Sequence, residues 1–309
     1  MAIIFWVAGG WALFYAGLRV IASALRQLAG ERGRQFLARF TGTPLSSFLT
    51  GFLLTVALQS SSAVTVMLVG LAEAGLVDLK QVVGVVLGSN VGTSLAVQLF
   101  TLPPELILWP ALLLSGLFSA WRGPGRRISA SLSRLMGGGA LLFLGLQILE
   151  QTFTFWGEGT RVTAWLERAG GSPWEQMAVG AAVTGLLQSS GLVIGTLIAL
   201  VRSGAISGPA GVCLMLGSNV GTCVTALLAG LSAGTAVGRR SAWANLLVNV
   251  AAVALILPVL DPFTAFALSS SSDPGRALAN AHFFFNLGTG LLLLPCTGQL
   301  ARLLEVMLR

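Results

Sequence analysis

Gln59-Ser60-Ser61-Ser62 and Gly88-Ser89-Asn90-Val91-Gly92-Thr93 are short polar stretches set in very apolar surroundings, and each occurs twice. The first returns as Gln188-Ser189-Ser190-Gly191, so position 59 maps onto position 188, an offset of 129. The second returns at the same offset, identical at every position, as Gly217-Ser218-Asn219-Val220-Gly221-Thr222. Pro44/Pro173, Gly51/Gly180, Thr55/Thr184, Leu58/Leu187 and Gly75/Gly204 hold the register between them. Duplicated polar, glycine-interrupted segments inside hydrophobic sequence are what a secondary transporter with its site between two repeats requires.

The surroundings place the chain in lipid. Of 309 residues, 55% are hydrophobic and 9% charged, with a mean hydropathy of +0.85. A soluble domain carries about 25% charged residues. Uncharged windows at 40–72, 81–104, 176–201, 203–238, 241–260 and 277–301 are each long enough to cross, or to enter and leave, a hydrocarbon core of roughly 30 Å. The net charge of +7 sits in short loops between these windows, without a basic stripe or aromatic platform, so it reads as membrane orientation and not as nucleic-acid binding. Cys213, Cys223 and Cys296 lie within apolar segments without metal-ligand spacing and read as small buried residues. The start lacks the basic region and cleavage site of a signal peptide and reads as a first spanning helix over 2–25. An Arg-rich amphipathic connector, Arg26 to Arg39, follows it.

Window 40–72, drawn as one straight helix, would extend about 50 Å, too long for a bilayer. Two half-helices meeting at Gln59–Ser62 fit better, which predicts a re-entrant hairpin over 44–75 and its copy over 173–203. Residues 81–101 and 209–232 carry Gly-Ser-Asn-Val-Gly-Thr at their centres. Glycine is a poor helix former and Ser and Asn compete for backbone hydrogen bonds, so these read as spanning helices broken at mid-membrane. Ordinary crossings are expected at 105–121, 137–155, 241–260 and 277–298. The expected fold is therefore an all-α integral membrane protein with about seven crossings plus two hairpins. Its first repeat occupies 1–136, its second 137–275, and a final helix with a short tail 276–309.

Each repeat contains three crossings and a hairpin that returns to its own side, so the odd count inverts the second copy. Basic residues provide an independent test of orientation. With the N-terminus outside, Arg26, Arg32, Arg34, Arg39, Lys80, Arg122, Arg126, Arg127, Arg134, Arg239, Arg240, Arg302 and Arg309 fall inside. Only Arg161, Arg168, Arg202 and Arg276 fall outside, which places the C-terminus in the cytoplasm of a cell whose plasma (inner) membrane holds the chain.

Inverted hairpins bring two serine-rich tips together near the midplane. Ser60–Ser62 and Ser189–Ser190, with Gly191, would stand at the N-terminus of each outgoing half-helix. Free N–H groups, the positive end of the helix dipole and serine hydroxyls all point there and suit an oxygen-rich anion such as phosphate or sulfate. Carbonyls freed at the glycine breaks, with Gln59, Gln188, Ser89, Ser218, Asn90, Asn219, Thr93 and Thr222, offer neutral oxygens of the kind sodium accepts. Asn90 and Asn219 could also face the anion. The bland alternative is that these side chains only join helices across a membrane interface.

The two doubled motifs resemble those of the type II sodium–phosphate cotransporter family over nearly the whole chain. Ala244-Asn245-Leu246-Leu247-Val248-Asn249, preceded by Arg239-Arg240, and Ala281-His282-Phe283-Phe284-Phe285-Asn286 are similar to a further family element, Ala-His-x-x-Phe-Asn. The resemblance implies sodium-coupled transport of inorganic phosphate, with sodium as coupling ion, no other cofactor, no catalysis, and both tips contributing to the site. The chain departs from the family pattern in Gly191 for a serine, Asn245 for a histidine, and Ser89 and Ser218 where alanine is common. It ends at Arg309, ahead of the helical regulatory domain that many bacterial members append.

Export, or another oxyanion, fits the same residues. An intramembrane serine hydrolase would need a serine against His282, the single histidine, and no symmetric second tip. His282 itself reads as a packed, hydrogen-bonded residue or a proton relay. Arg19 is expected to snorkel to the interface, and Glu73, Asp78 and Glu150 to flank spans and face water.

Overall fold

A computed structural model describes residues 2–29, 40–121, 123–157, 171–231 and 233–308. Most of the Arg-rich connector lies outside the described residues, as do Arg122, Arg161, Arg168 and Arg309. The α-helices run α1 (Ala2–Ala29), α2 (Pro44–Leu58), α3 (Ser61–Glu73), α4 (Leu79–Gln98), α5 (Pro104–Ala120), α6 (Arg126–Gly157), α7 (Pro173–Leu187), α8 (Ser190–Arg202), α9 (Gly208–Gly221), α10 (Cys223–Leu231), α11 (Ala236–Ile256), α12 (Leu260–Leu268), α13 (Pro274–Leu293) and α14 (Thr297–Met307).

Among the described residues, six helical stretches are long and apolar enough to cross a membrane: Ile3–Leu25, Leu79–Thr101, Arg126–Phe155, Gly208–Leu231, Ala236–Leu268 and Pro274–Met307. The seventh expected crossing is α5, whose 17 residues extend about 25 Å and stand at the short end of the spanning range. The last two stretches outrun the windows 241–260 and 277–298 because short 3-10 turns at Leu257–Val259 and Leu294–Cys296, each holding a proline, carry the helix onward.

The first helices of the two halves pack through glycine, and the contacts are reciprocal. A methyl added at Gly17 would lie 2.5 Å from Leu142 N and 2.6 Å from Gly138 O. One added at Gly145 would lie 2.4 Å from Phe14 N and 2.7 Å from Gly10 O. Adding 128 to 17, 10 and 14 yields 145, 138 and 142, so a twofold operation exchanges the partners. Low numbers on α1 meet high numbers on α6, so the helices run antiparallel and the second half is inverted relative to the first. In lipid, small residues permit the close approach on which packing between helices depends.

The same device fixes each hairpin against its following helix. A methyl at Gly88 would stand 1.8 Å from the Phe48 carbonyl oxygen, and one at Gly217 would stand 1.9 Å from that of Met177. Here the structure corrects the sequence reading. The helix over 81–101 is not broken: α4 runs unbroken through Gly88–Thr93. Among the described residues of 209–232, only Thr222 stands between two helical runs. Its φ of −58° and ψ of −23° remain right-handed helical, and its N–H donates to Ser218 O. The glycines serve close approach to the hairpin arm, and Ser89 and Ser218 direct their hydroxyls to that arm instead of to their own backbone. Carbonyls freed at glycine breaks are therefore absent from these segments.

Candidate functional site: a cavity between two serine tips

The hairpin tips follow from local backbone geometry. α2 and α3 have 15 and 13 residues, as do α7 and α8, and none reaches across a bilayer alone. Gln59 (φ 50°, ψ 35°) and Gln188 (φ 50°, ψ 31°) end the incoming arms in the left-handed region. Among the described residues they are the two non-glycine residues with positive φ. Such a conformation costs on the order of 1–3 kcal/mol and persists only where its surroundings impose it. Ser60 and Ser189 then turn extended and cap the outgoing arms, their Oγ atoms accepting from Ala63 N at 3.2 Å and Leu192 N at 3.3 Å. A cap of this kind satisfies a third-residue N–H and leaves those of Ser61 and Ser62, or Ser190 and Gly191, at a free helix start.

Both tips line one cavity of about 360 Å³. Gln59, Ser60, Ser61 and Ser62 border it from one half, and Gln188, Ser189, Ser190 and Gly191 from the other. Thr93 on α4 and Thr225 on α10 also face it, as do Tyr15, Leu18, Arg19 and Ala22 of α1. Two positive helix ends thus converge on one space. At Gly191 an added Cβ would meet nothing closer than Leu18 Cδ1 at 3.7 Å.

The remaining predicted residues stand behind this cavity. Ser89 and Ser218 are buried, with their Oγ atoms 2.6 Å from Thr55 Oγ1 and 2.7 Å from Thr184 Oγ1, clasping each helix to its hairpin. The Thr93 and Thr222 hydroxyls donate to Ser89 O and Ser218 O. Asn90 donates to Asn249 Oδ1 at 3.1 Å, while Asn219 Oδ1 lies 3.3 Å from His282 Nε2. The two Ala-x-x-x-x-Asn elements therefore each support one asparagine of the repeat. Ser89, Asn90, Ser218, Asn219 and Thr222 do not line the cavity.

Sequence reading missed Arg19, expected at the interface, and gave Thr55 and Thr184 no task. A lone charge inside an apolar span was the available signal for the first, and the common offset of 129 for the second pair. Arg19 is not near the end of its helix: α1 continues to Ala29, about 15 Å further.

Duplicated, inverted helical halves contributing one polar tip each to a shared cavity define the architecture of a secondary carrier. The chain belongs to the Na+/Pi-cotransporter family, whose model matches residues 13–151 and again 156–294. It is 32% identical over 299 residues to "Uncharacterized protein YqeW" of Bacillus subtilis, covering 96% of this chain and 95% of that one. It is 27% identical over 299 residues to "Putative inorganic phosphate export protein YjbB" of Escherichia coli, again over 96% of this chain but 54% of the relative. A shorter match, 34% over 85 residues, covers 26% of this chain and 13% of "Sodium-dependent phosphate transport protein 2A" of rabbit, Oryctolagus cuniculus. No solved structure matches the chain.

Proposed function

We propose that this protein is a sodium-coupled secondary transporter that binds inorganic phosphate between its two serine tips and works by alternating access. The observation that carries the reading is the shared cavity, where two helix N-termini and the hydroxyls of both tips face one space. Ser60, Ser61, Ser62, Ser189 and Ser190 would supply hydroxyl donors, and Gly191 its N–H. Gln59, Gln188 and Thr93 offer sodium neutral oxygens at the cavity wall. Asn90, Asn219, Ser89, Ser218 and Thr222 act from behind it, holding the helices against which the hairpins move.

The N-terminus lies outside and the C-terminus in the cytoplasm of the plasma (inner) membrane, with repeats over 1–136 and 137–275 and a closing helix over 276–309. An intramembrane hydrolase is the weaker reading: the ring of His282 pairs with Asn219, and His282 is not in the cavity wall. The name of the Escherichia coli relative favours export as a second reading of direction.

Phosphate flux in proteoliposomes tests the proposal. Uptake should rise severalfold when an inward sodium gradient is imposed and vanish when sodium is replaced by choline. Flux unchanged without sodium, and following an imposed pH gradient, contradicts sodium coupling. Absence of phosphate flux in either direction contradicts the substrate.

A further inference from the structure

Arg19 stands where the proposed anion would bind, and nothing in the repeat accounts for it. Its counterpart at the α1/α6 offset of 128 is Gln147, so it belongs to one half only. Tyr15, Leu18, Arg19 and Ala22 share one face of α1, at helical spacing, and that face borders the cavity. Among the described residues, Arg19 is the single charged side chain in the wall, and no Asp or Glu lines it. Among the described residues it forms no salt bridge, and its guanidinium carbon lies 5.8 Å from the ring centre of Tyr15. That position above an aromatic face orients a guanidinium without neutralising it. A charge kept within a spanning helix, on the face that borders the cavity and without a carboxylate partner among the described residues, calls for a counter-ion.

We propose that Arg19 is the charge-recognition residue of the site, the fixed cation that an oxyanion held between the two tips meets from the side of α1. The inference rests on the phosphate reading above and deepens it. The tips offer neutral donors, which select oxygen geometry, whereas the guanidinium selects charge and can engage two oxygens at once. Arg19 also makes the two halves unequal at the site, since its counterpart Gln147 is neutral and no described residue of the inverted half adds a cation to the wall.

The test is phosphate affinity of the purified full chain in detergent with sodium present, for wild type, Arg19→Lys and Arg19→Gln. Thermal unfolding of each variant verifies that it is folded. Arg19→Gln should weaken phosphate binding at least tenfold while the sodium-induced rise in unfolding temperature persists. Arg19→Lys, retaining charge without the fork, should recover most of that loss. Arg19→Gln binding phosphate as wild type does, or Arg19→Lys falling as far as Arg19→Gln, overturns the proposal. Should Arg19→Gln not fold, Arg19→Cys in a chain with Cys213, Cys223 and Cys296 replaced can be modified after folding. An ammonium-bearing thiol reagent should then leave phosphate binding at least tenfold tighter than a neutral one, and equal affinities overturn the inference. Wild type that binds no phosphate contradicts the function proposed above, whereas wild-type binding with an indifferent Arg19 contradicts only this inference.

Discussion

The two hairpins share a fold but are latched at their ends by opposite charges. Glu73 closes α3, and Arg202, its counterpart at the offset of 129, closes α8. Glu73 Oε1 accepts the N–H of Gly234 at 2.5 Å, just ahead of α11. Arg202 donates through Nε to Asp273 Oδ1 at 2.9 Å, at the start of α13, and through Nη2 to Thr101 O at 2.9 Å. One latch is a carboxylate at a helix N-terminus, where the dipole favours it. The other is a guanidinium on the acidic cap of α13, with Glu150 Oε2 3.8 Å from Nη1 of the same arginine. The tied end of each hairpin is thus the same, while the partner and the chemistry of the tie differ. The tips differ in the same manner: Gln59 Nε2 donates to Val56 O at 2.8 Å, Gln188 is more exposed, and Ser62 has Gly191 as its counterpart in the repeat.

The largest expected effects test what the halves have in common. Gly88→Ala and Gly217→Ala each force a methyl onto a backbone carbonyl, and each should cost about 1–3 kcal/mol, toward the upper end because backbone cannot rotate away. Thermal unfolding in detergent should fall by similar amounts in the two variants. A drop confined to one would show that the halves are not packed alike.

Next come the glutamines at the tips. Gln59→Ala and Gln188→Ala should each raise the sodium concentration needed for half-maximal phosphate flux, roughly tenfold for the loss of about 1.4 kcal/mol. Only Gln59→Ala should also reduce stability, by about 1 kcal/mol, through its bond to Val56. Sodium dependence unchanged in both variants would move the ion elsewhere.

The latches separate on acidification. Burial raises the Asp273 carboxyl, but the Arg202 bond and charge and the N–H groups of Gly275 and Arg276 outweigh it and hold the group below its ordinary value. A carboxylate depressed in the folded state contributes stability above its unfolded pKa of about 3.9 and loses it as pH falls through the folded value. Asp273→Asn should therefore be less stable than wild type at neutral pH, by about 1 kcal/mol for a partly exposed pair, with the difference closing below about pH 4. A gap independent of pH would mean that Asp273 acts only as a helix cap.

Gly191 offers the smallest change. Gly191→Ser should fold normally and bind phosphate as well as or slightly better than wild type, since its Cβ would make ordinary contact with Leu18. Gly191→Val should block binding by pushing methyl groups toward Leu18 and into the cavity. A harmless valine would show that the second tip does not touch the anion.

Much of this is legible in the sequence. The uncharged stretch from Phe40 to Ala72 is too long for one crossing and carries its polar residues at the centre, which locates the first tip and, through the repeat, the second. The odd number of crossings and the basic loops imply inversion, and the reciprocal contacts of Gly17 and Gly145 display it. The glycines of Gly-Ser-Asn-Val-Gly-Thr mislead because propensity describes a helix alone. Their reason lies on the preceding hairpin arm, in the carbonyls of Phe48 and Phe52. Arg19 is hidden for a related reason: hydropathy places a charge within a span but does not say which face of the helix it occupies.

Phosphate affinity of Ser61→Ala and Ser190→Ala, measured side by side in saturating sodium, tests the shared site most directly. Removing one hydroxyl donor from a bound anion costs about 1–3 kcal/mol, so each variant should bind phosphate roughly tenfold to hundredfold more weakly. Wild-type affinity in either variant would contradict a single anion held between the two tips.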